Sequence, residues 1–167
     1  MTAPLTVVLP EIKDVKDMLS GLVGKPVAVA PGAPVTPTER SPVSVAVYVD
    51  PQMNVNALCV MDLALSAYTG GALALLPPGG CQDAVEEDGE LTSMLTEALY
   101  EVTNVLSALF NVPGAPHSKL HKLIAPGDDI DGDIAGMLAA FNRLDLQVEV
   151  PGYGKGNLSL VVPSGAA

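Results

Sequence analysis

Residues 91–110, LTSMLTEALYEVTNVLSALF, constrain the fold more than any other part of this 167-residue chain. Apolar side chains recur there every three or four residues and form one continuous stripe: Leu91, Met94, Leu95, Ala98, Leu99, Val102, Val105, Leu106 and Leu109. This period predicts a long amphipathic helix over residues 91–110. A helix with such a stripe has to bury it against a second layer of structure.

The rest of the chain supplies that second layer. The β-branched runs 44–50 and 56–62 predict two neighbouring antiparallel strands. Strands are also expected in 25–42, 117–126, 146–153 and 157–163, the last two joined by the Gly-rich turn GYGKGN into a C-terminal hairpin. Alternating apolar residues predict that one face of this hairpin is buried: Val148, Val150, Leu158, Leu160 and Val162.

Three further helices are expected. Residues 11–23 have helical spacing, residues 62–75 form a helix with Asp62 as its N-cap and Gly70–Gly71 as a break or C-cap, and residues 134–144 form a short helix. Residues 77–90 read as a polar loop, and we find no clear internal repeat. Runs of strands between helices favour an α+β fold, with long helices packed on a mostly antiparallel sheet. The length favours a single domain, 1–167.

Composition excludes several classes of protein. Hydrophobic residues make up 49% of the chain and charged residues 16%, which is typical of a compact globular protein. The net charge of −11 disfavours nucleic acid and anionic membranes as partners. No apolar run reaches the ~20 residues that span a bilayer, and the N-terminus has no signal-peptide pattern. These features predict a cytoplasmic protein in which Cys59 and Cys81 stay reduced.

Three motifs invite a ligand-binding interpretation that their context does not support. The turn GYGKGN precedes a strand instead of a helix and lacks the Ser or Thr of a phosphate loop. The loop DDIDGD would place Leu138 where a calcium loop requires a bidentate Glu. His117 and His121 lie in a predicted strand, with no Glu or Cys nearby in sequence to complete a zinc site. We therefore expect no metal or organic cofactor in this chain.

A row of polar side chains runs along the helix predicted over residues 91–110. Glu97, Glu101 and Asn104 follow one another at spacings of four and three. At ~100° per residue they fall within about 60° of one another, away from the apolar stripe. They could be an ordinary solvated face, or they could form a functional site.

The segment EVTNVLSAL resembles the signature helix of the CheC/CheX/FliY family, whose members dephosphorylate CheY-like response regulators. The matching positions are Glu101, Asn104 and the following Val105–Leu106–Ser107, with the acidic Glu97 four residues before the Glu. Pro126 follows after 21 residues, close to the family spacing. The order of helices and strands is similar to the family over most of the chain, and the leading helix carries no ExxN, which implies one site, as in CheX.

The resemblance implies a phosphatase that hydrolyses the aspartyl phosphate of a receiver domain. Asn104 would position the attacking water, Glu101 would engage the receiver's lysine, and Glu97 would support them. Any Mg²⁺ would belong to the phosphorylated receiver. Two alternatives stay open: a non-catalytic adaptor that binds a receiver or another signalling domain, and a structural or oligomerisation module. A homodimer through sheet edges or the terminal hairpin is also expected, because few charges protect an exposed edge there.

Overall fold

The computed structural model describes residues 7–37, 42–139 and 142–162. Its helices are α1 (Ile12–Val23), α2 (Leu63–Leu73), α3 (Pro78–Asp83), α4 (Ser93–Leu106) and α5 (Gly132–Met137). Its strands are β1 (Ala28–Pro31), β2 (Val43–Val49), β3 (Val55–Asp62), β4 (Lys119–Ile124), β5 (Arg143–Val150) and β6 (Gly154–Val161). A π-helical turn, Ala84–Asp88, follows α3, and a 3₁₀ helix, Ser107–Phe110, follows α4.

The strands form one six-stranded sheet in the order β1-β5-β6-β3-β2-β4. Every pairing between neighbouring strands is antiparallel. Helices α1, α2 and α4 pack on one face of this sheet. The predicted α+β fold, with helices on an antiparallel sheet and a C-terminal hairpin, is therefore confirmed.

Two apolar layers enclose the sheet. The larger layer lies between the sheet and helices α1, α2 and α4, and it contains Leu19, Leu65, Leu99 and Leu106, each fully buried. The smaller layer covers part of the opposite face, where Val35 joins Ile134 and Leu138 at the start and end of α5. The Pro-rich stretch after β1 thus contributes a buried side chain to the second layer.

Helix α2 lies at the centre of the helical layer and is buried on nearly all sides. Asp62 caps its first turn as expected, because its Oδ1 accepts a hydrogen bond from the Leu65 N–H at 2.8 Å. The expected break at Gly70–Gly71 is wrong. A Cβ on Gly70 would lie 3.0 Å from the carbonyl oxygen of Leu95, so this glycine allows α2 and α4 to cross closely.

Other boundaries also differ from expectation. Residues 77–90 are not a loop, because α3 and the π-helical turn bury Cys81 and Ala84 against α2. The predicted helix over 91–110 begins at Ser93 and tightens into the 3₁₀ helix after Leu106. Helix α5 is shorter than expected, since Arg143 already belongs to β5, and residues 140–141 lie outside the described residues. None of the described helices combines the length and apolar character needed to cross a bilayer.

The terminal hairpin lies inside the sheet. Its alternating side chains face the helical layer as predicted, and Val148, Leu158 and Leu160 are fully buried. However, β5 also pairs with β1, and β6 also pairs with β3. Within the part of the chain that the structure describes, both hairpin strands therefore have a second neighbour, and the edge strands of the sheet are β1 and β4.

The strand order shows an approximate two-fold symmetry. If β1 is exchanged with β4, β2 with β5 and β3 with β6, the strand order is the same when it is read from the opposite edge of the sheet. Each half consists of a helix, an edge strand, a long connection and a hairpin, and the edge strand of each half pairs with the hairpin of the other. Helices α1 and α4 occupy equivalent places in the two halves.

The two equivalent helices also match in sequence, which corrects the expectation of no internal repeat. Residues 14–23, DVKDMLSGLV, align without gaps with residues 101–110, EVTNVLSALF. Four positions are identical, and two of them are the fully buried pairs Val15/Val102 and Leu19/Leu106. The repeat is short, and most of its identical positions are apolar core residues. Any amphipathic helix has apolar residues at this spacing, so the sequence pattern alone did not reveal the repeat.

Replacing Gly156 with alanine should destabilise the fold. A Cβ at this position in β6 would lie 2.5 Å from the backbone nitrogen of Leu65, so β6 and α2 would have to separate. Overpacking of this kind costs about 1–3 kcal/mol. Urea unfolding measures the loss. Gly79→Ala is the matched control, since nothing lies within 4 Å of its Cβ, and equal midpoints for the two variants would contradict the close packing.

Candidate functional site

Helix α4 is fixed at its start by a side-chain cap and along its length by burial. The Thr92 hydroxyl oxygen accepts a hydrogen bond from the Leu95 N–H at 3.2 Å, which satisfies one of the unpaired donors of the first turn. The buried side of the helix then packs on α2 and the sheet through Leu95, Ala98, Leu99, Val102, Thr103 and Leu106. This burial leaves the opposite side of α4 facing solvent.

One hydrogen bond joins α4 to the centre of the sheet. The Tyr48 hydroxyl on β2 donates to the backbone carbonyl of Thr103 at 2.6 Å in the buried layer. The Tyr48 ring also contacts Phe110, with ring centroids 5.3 Å apart. Burial raises the pKa of Tyr48 well above its ordinary value, so the hydroxyl keeps its proton and remains a donor.

The helix changes its pitch immediately after this bond. The Ser107 N–H points to the carbonyl of Asn104, three residues back, and the Ser107 hydroxyl donates to the same carbonyl at 2.7 Å. The 3₁₀ helix Ser107–Phe110 starts there. Asn104 therefore lies in the last α-helical turn, and its backbone nitrogen belongs to the same peptide group as the Thr103 carbonyl that Tyr48 holds.

The structure places the three predicted site residues together on the exposed side of α4. Glu97, Glu101 and Asn104 are all exposed, as the sequence pattern predicts. Glu101 and Asn104 are three residues apart, a spacing that brings side chains to about 5–6 Å at their Cβ atoms. Among the described residues, neither glutamate forms an ion pair or a side-chain hydrogen bond. The row is thus available to a partner.

Exposed apolar side chains border this polar row. Met94 and Val105 lie on one side of it and Tyr100 on the other, with 59%, 42% and 43% of their surfaces exposed. An open groove of about 600 Å³ runs between the end of α2 and α4. It is lined by Leu73, Ala74, Met94, Glu97, Ala98, Tyr100 and Glu101. The surface therefore combines an apolar part with two carboxylates.

The segment of the chain that carries the row holds no basic residue of the Lys or Arg kind. The sequence has no Lys or Arg between Arg40 and Lys119. The same stretch contains Asp50, Asp62, Asp83, Glu86, Glu87, Asp88, Glu90, Glu97 and Glu101. Carboxylates on this surface have no cation of their own segment to pair with, so they attract a basic group on a partner.

Helix α1 presents a different pair at the equivalent position. Asp14 and Asp17 align with Glu101 and Asn104, and both are exposed. A carboxylate only accepts hydrogen bonds, whereas a carboxamide both accepts and donates. The amide of Asn104 thus has no counterpart on α1, and the repeat carries one Glu–Asn pair.

The other candidate motifs take structural positions. The turn GYGKGN connects β5 and β6, and DDIDGD leads into α5, where Asp131 pairs with the Lys122 ammonium at 2.6 Å. His117 precedes β4 and His121 lies exposed within it. Among the described residues no three His, Cys, Asp or Glu side chains are grouped to hold a metal ion. The expectation of no cofactor stays a prediction.

Both cysteines are free and buried. Burial raises the pKa of the Cys59 thiol to about 12 and also raises that of Cys81. A thiol that stays protonated is a poor nucleophile. These residues therefore serve packing, and neither adds chemistry to the polar row of α4.

The structure shares the fold of the FliM middle domain, of FliY and of a chain of a CheX–CheY complex. The FliM middle domain (51–229) from Vibrio alginolyticus is 13% identical, covering 91% of this chain and 88% of that one, with a TM-score of 0.57. FliY from Thermotoga maritima is 12% identical, covering 93% and 85%, with a TM-score of 0.58. A chain of the CheX–CheY–BeF₃–Mg²⁺ complex from Borrelia burgdorferi is 12% identical, covering 89% and 92%, with a TM-score of 0.53.

These likenesses confirm the fold that the signature helix predicts. No protein-family model matches the chain, and no curated protein resembles it significantly. At identities this low, the shared fold does not transfer a function, because one fold serves different activities. The function has to be argued from the α4 surface.

Tyr48→Phe should destabilise the protein by about 1–3 kcal/mol, because the Thr103 carbonyl would stay buried without its donor. Urea unfolding of the purified variant measures this loss. Tyr100→Phe is the matched control, since its ring is exposed, and it should shift the free energy of unfolding by less than about 0.5 kcal/mol. If both variants unfold like the wild type, Tyr48 does not hold α4.

Proposed function

We propose that this protein dephosphorylates the aspartyl phosphate of a CheY-like receiver domain through the exposed side of α4. The observation that carries the proposal is the exposed Glu101–Asn104 pair on a helix whose buried side is tied to the sheet by Tyr48. The shared fold with a chain of a CheX–CheY complex supports the same partner class.

The proposed chemistry is in-line attack of water on the phosphorus of the receiver's phosphoaspartate. The P–O bond to the aspartate breaks, inorganic phosphate leaves and the receiver's carboxylate is regenerated. Receiver and Mg²⁺ together hold the phosphoryl oxygens, so this chain needs only to orient the water. Asn104 suits that task because its carboxamide oxygen accepts a hydrogen bond from water while its NH₂ group donates.

Glu101 is proposed to engage the receiver's lysine beside the phosphorylated aspartate. The carboxylate lies one helical turn from Asn104 and has no ion-pair partner among the described residues. Glu97, a further turn away on the same side, adds negative potential that favours the approach of a basic group. The absence of Lys and Arg from residues 41–118 leaves nothing in that segment to compete for these carboxylates.

Rigidity is the property that makes α4 a suitable carrier. A displacement of about 1 Å in a positioning group can cost a factor of 10² in rate. The Tyr48–Thr103 bond fixes the peptide next to Asn104, and the Ser107 hydroxyl bonds to the carbonyl of Asn104 itself. The backbone that carries the carboxamide is therefore held from the sheet and from the following turn.

A homodimer remains part of the proposal, through a sheet edge and not through the hairpin. Of the two edges, β1 has four residues and ends at Pro31, which has no N–H to donate. Strand β4 has six residues and is the longer free edge. Light scattering at micromolar concentration measures the mass, and a monomeric mass would remove the dimer from the proposal.

The second candidate function is a receiver-binding adaptor without catalysis. The likeness in fold to FliM middle domains favours it, since the same architecture occurs there in a protein whose solved complexes include one with FliG. Both candidates require receiver binding at α4. Only the phosphatase requires that phosphate loss depend on the Asn104 carboxamide.

Asn104→Ala should slow the loss of phosphate from a phosphorylated receiver by about 100-fold while binding persists, because only the water-orienting group is removed. The measurement follows labelled phosphate on each CheY-like receiver of the same organism. Asp17→Ala is the matched control at the equivalent position of α1 and should leave the rate unchanged. Equal rates for wild type and Asn104→Ala would leave only the adaptor.

Glu101→Gln should weaken receiver binding by roughly three- to tenfold and reduce its dependence on salt, because one charge at the contact is lost. Titration calorimetry at two ionic strengths measures both effects. Glu149→Gln removes the same charge from β5, on the sheet face opposite α4, and is the control. A comparable weakening by both variants would show a general charge effect and contradict a specific role for Glu101.

A further inference from the structure

Leu75, directly after α2, has a backbone conformation that leucine rarely adopts. Its φ angle is +57°, in the left-handed region. The Leu76 N–H bonds to the Gly71 carbonyl at 2.8 Å and the Leu75 N–H bonds to the Ala72 carbonyl at 3.3 Å. These two bonds form the Schellman motif, in which glycine normally occupies the position of Leu75. A residue with a Cβ is disfavoured in this conformation.

The surrounding structure holds Leu75 in this conformation. The Tyr153 hydroxyl donates to the Leu76 carbonyl at 2.6 Å, and Pro77 follows at once. The strain brings no packing within the chain, because 87% of the Leu75 surface is exposed. Backbone strain that the fold maintains without a packing benefit makes Leu75 a candidate binding contact.

Leu75 follows directly in sequence on two residues that line the groove beside α4. Leu73 and Ala74 line the α2 side of that groove, and Met94 lines the α4 side with more than half of its surface exposed. Glu97 and Glu101 are also part of the lining. At 1.5 Å per residue, Met94 lies about 15 Å along α4 from Asn104. One receiver seated over Asn104 can therefore reach the groove and Leu75.

We propose that Leu75 and this groove form a second contact for the same receiver, which rests on the proposed function. The occupant is a segment of the receiver surface that presents an apolar side chain next to a Lys or Arg. The apolar side chain fits against Leu75, Leu73 and Met94, and the basic one pairs with Glu97. Residues 41–118 contain only acidic charges, so an acidic segment of a partner would be repelled.

If Leu75 is a binding contact, Leu75→Gly should raise the stability of the protein and weaken receiver binding. Glycine adopts the left-handed conformation freely, so the melting temperature should rise by about 2–4 °C. Removal of the exposed side chain should weaken binding of a BeF₃-loaded receiver about three- to tenfold. Leu75→Asn, which also tolerates this conformation, should weaken binding to a similar extent. Unchanged binding in both variants would overturn the proposal.

Two further results keep this test separate from the phosphatase proposal. In an Asn104→Ala background, Leu75→Gly should still weaken receiver binding. The contact at Leu75 can therefore be confirmed even if the phosphatase proposal is wrong. If Leu75→Gly leaves receiver binding unchanged but lowers the mass from dimer to monomer, a second copy of this chain occupies the surface, which contradicts the proposal. If no receiver of the organism binds the wild type, the proposed occupant is wrong.

Discussion

The hydrogen bond from the Tyr48 hydroxyl to the Thr103 carbonyl is the contact on which the candidate site depends. It crosses the buried layer between β2 and α4 at 2.6 Å and reaches the peptide next to Asn104. Burial raises the pKa of Tyr48 well above its ordinary value, so the hydroxyl is a donor at neutral pH. A polar row on a helix that is not fixed to the sheet could still bind a charged partner. Orienting a water molecule, however, requires a fixed backbone.

The approximate symmetry of the sheet relates α4, which carries the candidate site, to α1, which has no Glu–Asn pair. Helices α1 and α4 share buried positions such as Leu19 and Leu106, which preserve the packing of both halves. Their exposed positions differ, with Asp17 where α4 has Asn104. Packing constrains the buried side of each helix equally, while the exposed side is free to change in one half. The proposed second contact at Leu75 directly follows Leu73 and Ala74, which line the groove beside α4.

The sequence predicted the parts of the fold that follow from short-range patterns. The apolar period of α4, the cap at Asp62 and the alternation in β5 and β6 each reflect one local preference, and each is confirmed. The exposed row of α4 was also predictable, because helical geometry alone fixes which side chains share a face.

The failures have a common physical cause, since they depend on residues far apart in sequence. Gly70 reads as a break, but the close crossing of α2 and α4 requires it within a helix. The acidic stretch after Pro78 reads as a loop because its buried Cys81 and Ala84 pack against elements that lie elsewhere in the sequence, α2 among them. Tyr48 gives no local signal, since its partner is 55 residues away. Leu75 gives none either, because a left-handed leucine has no sequence signature.

Multiple turnover is the most direct test of the central claim that α4 carries a phosphatase site. A phosphorylated receiver is mixed with a tenfold smaller amount of this protein, and the released inorganic phosphate is followed to completion. The account predicts that all of the receiver loses its phosphate faster than it does alone, with the rate proportional to the protein added. Phosphate release at the receiver's own rate, for every CheY-like receiver of the organism, would contradict it.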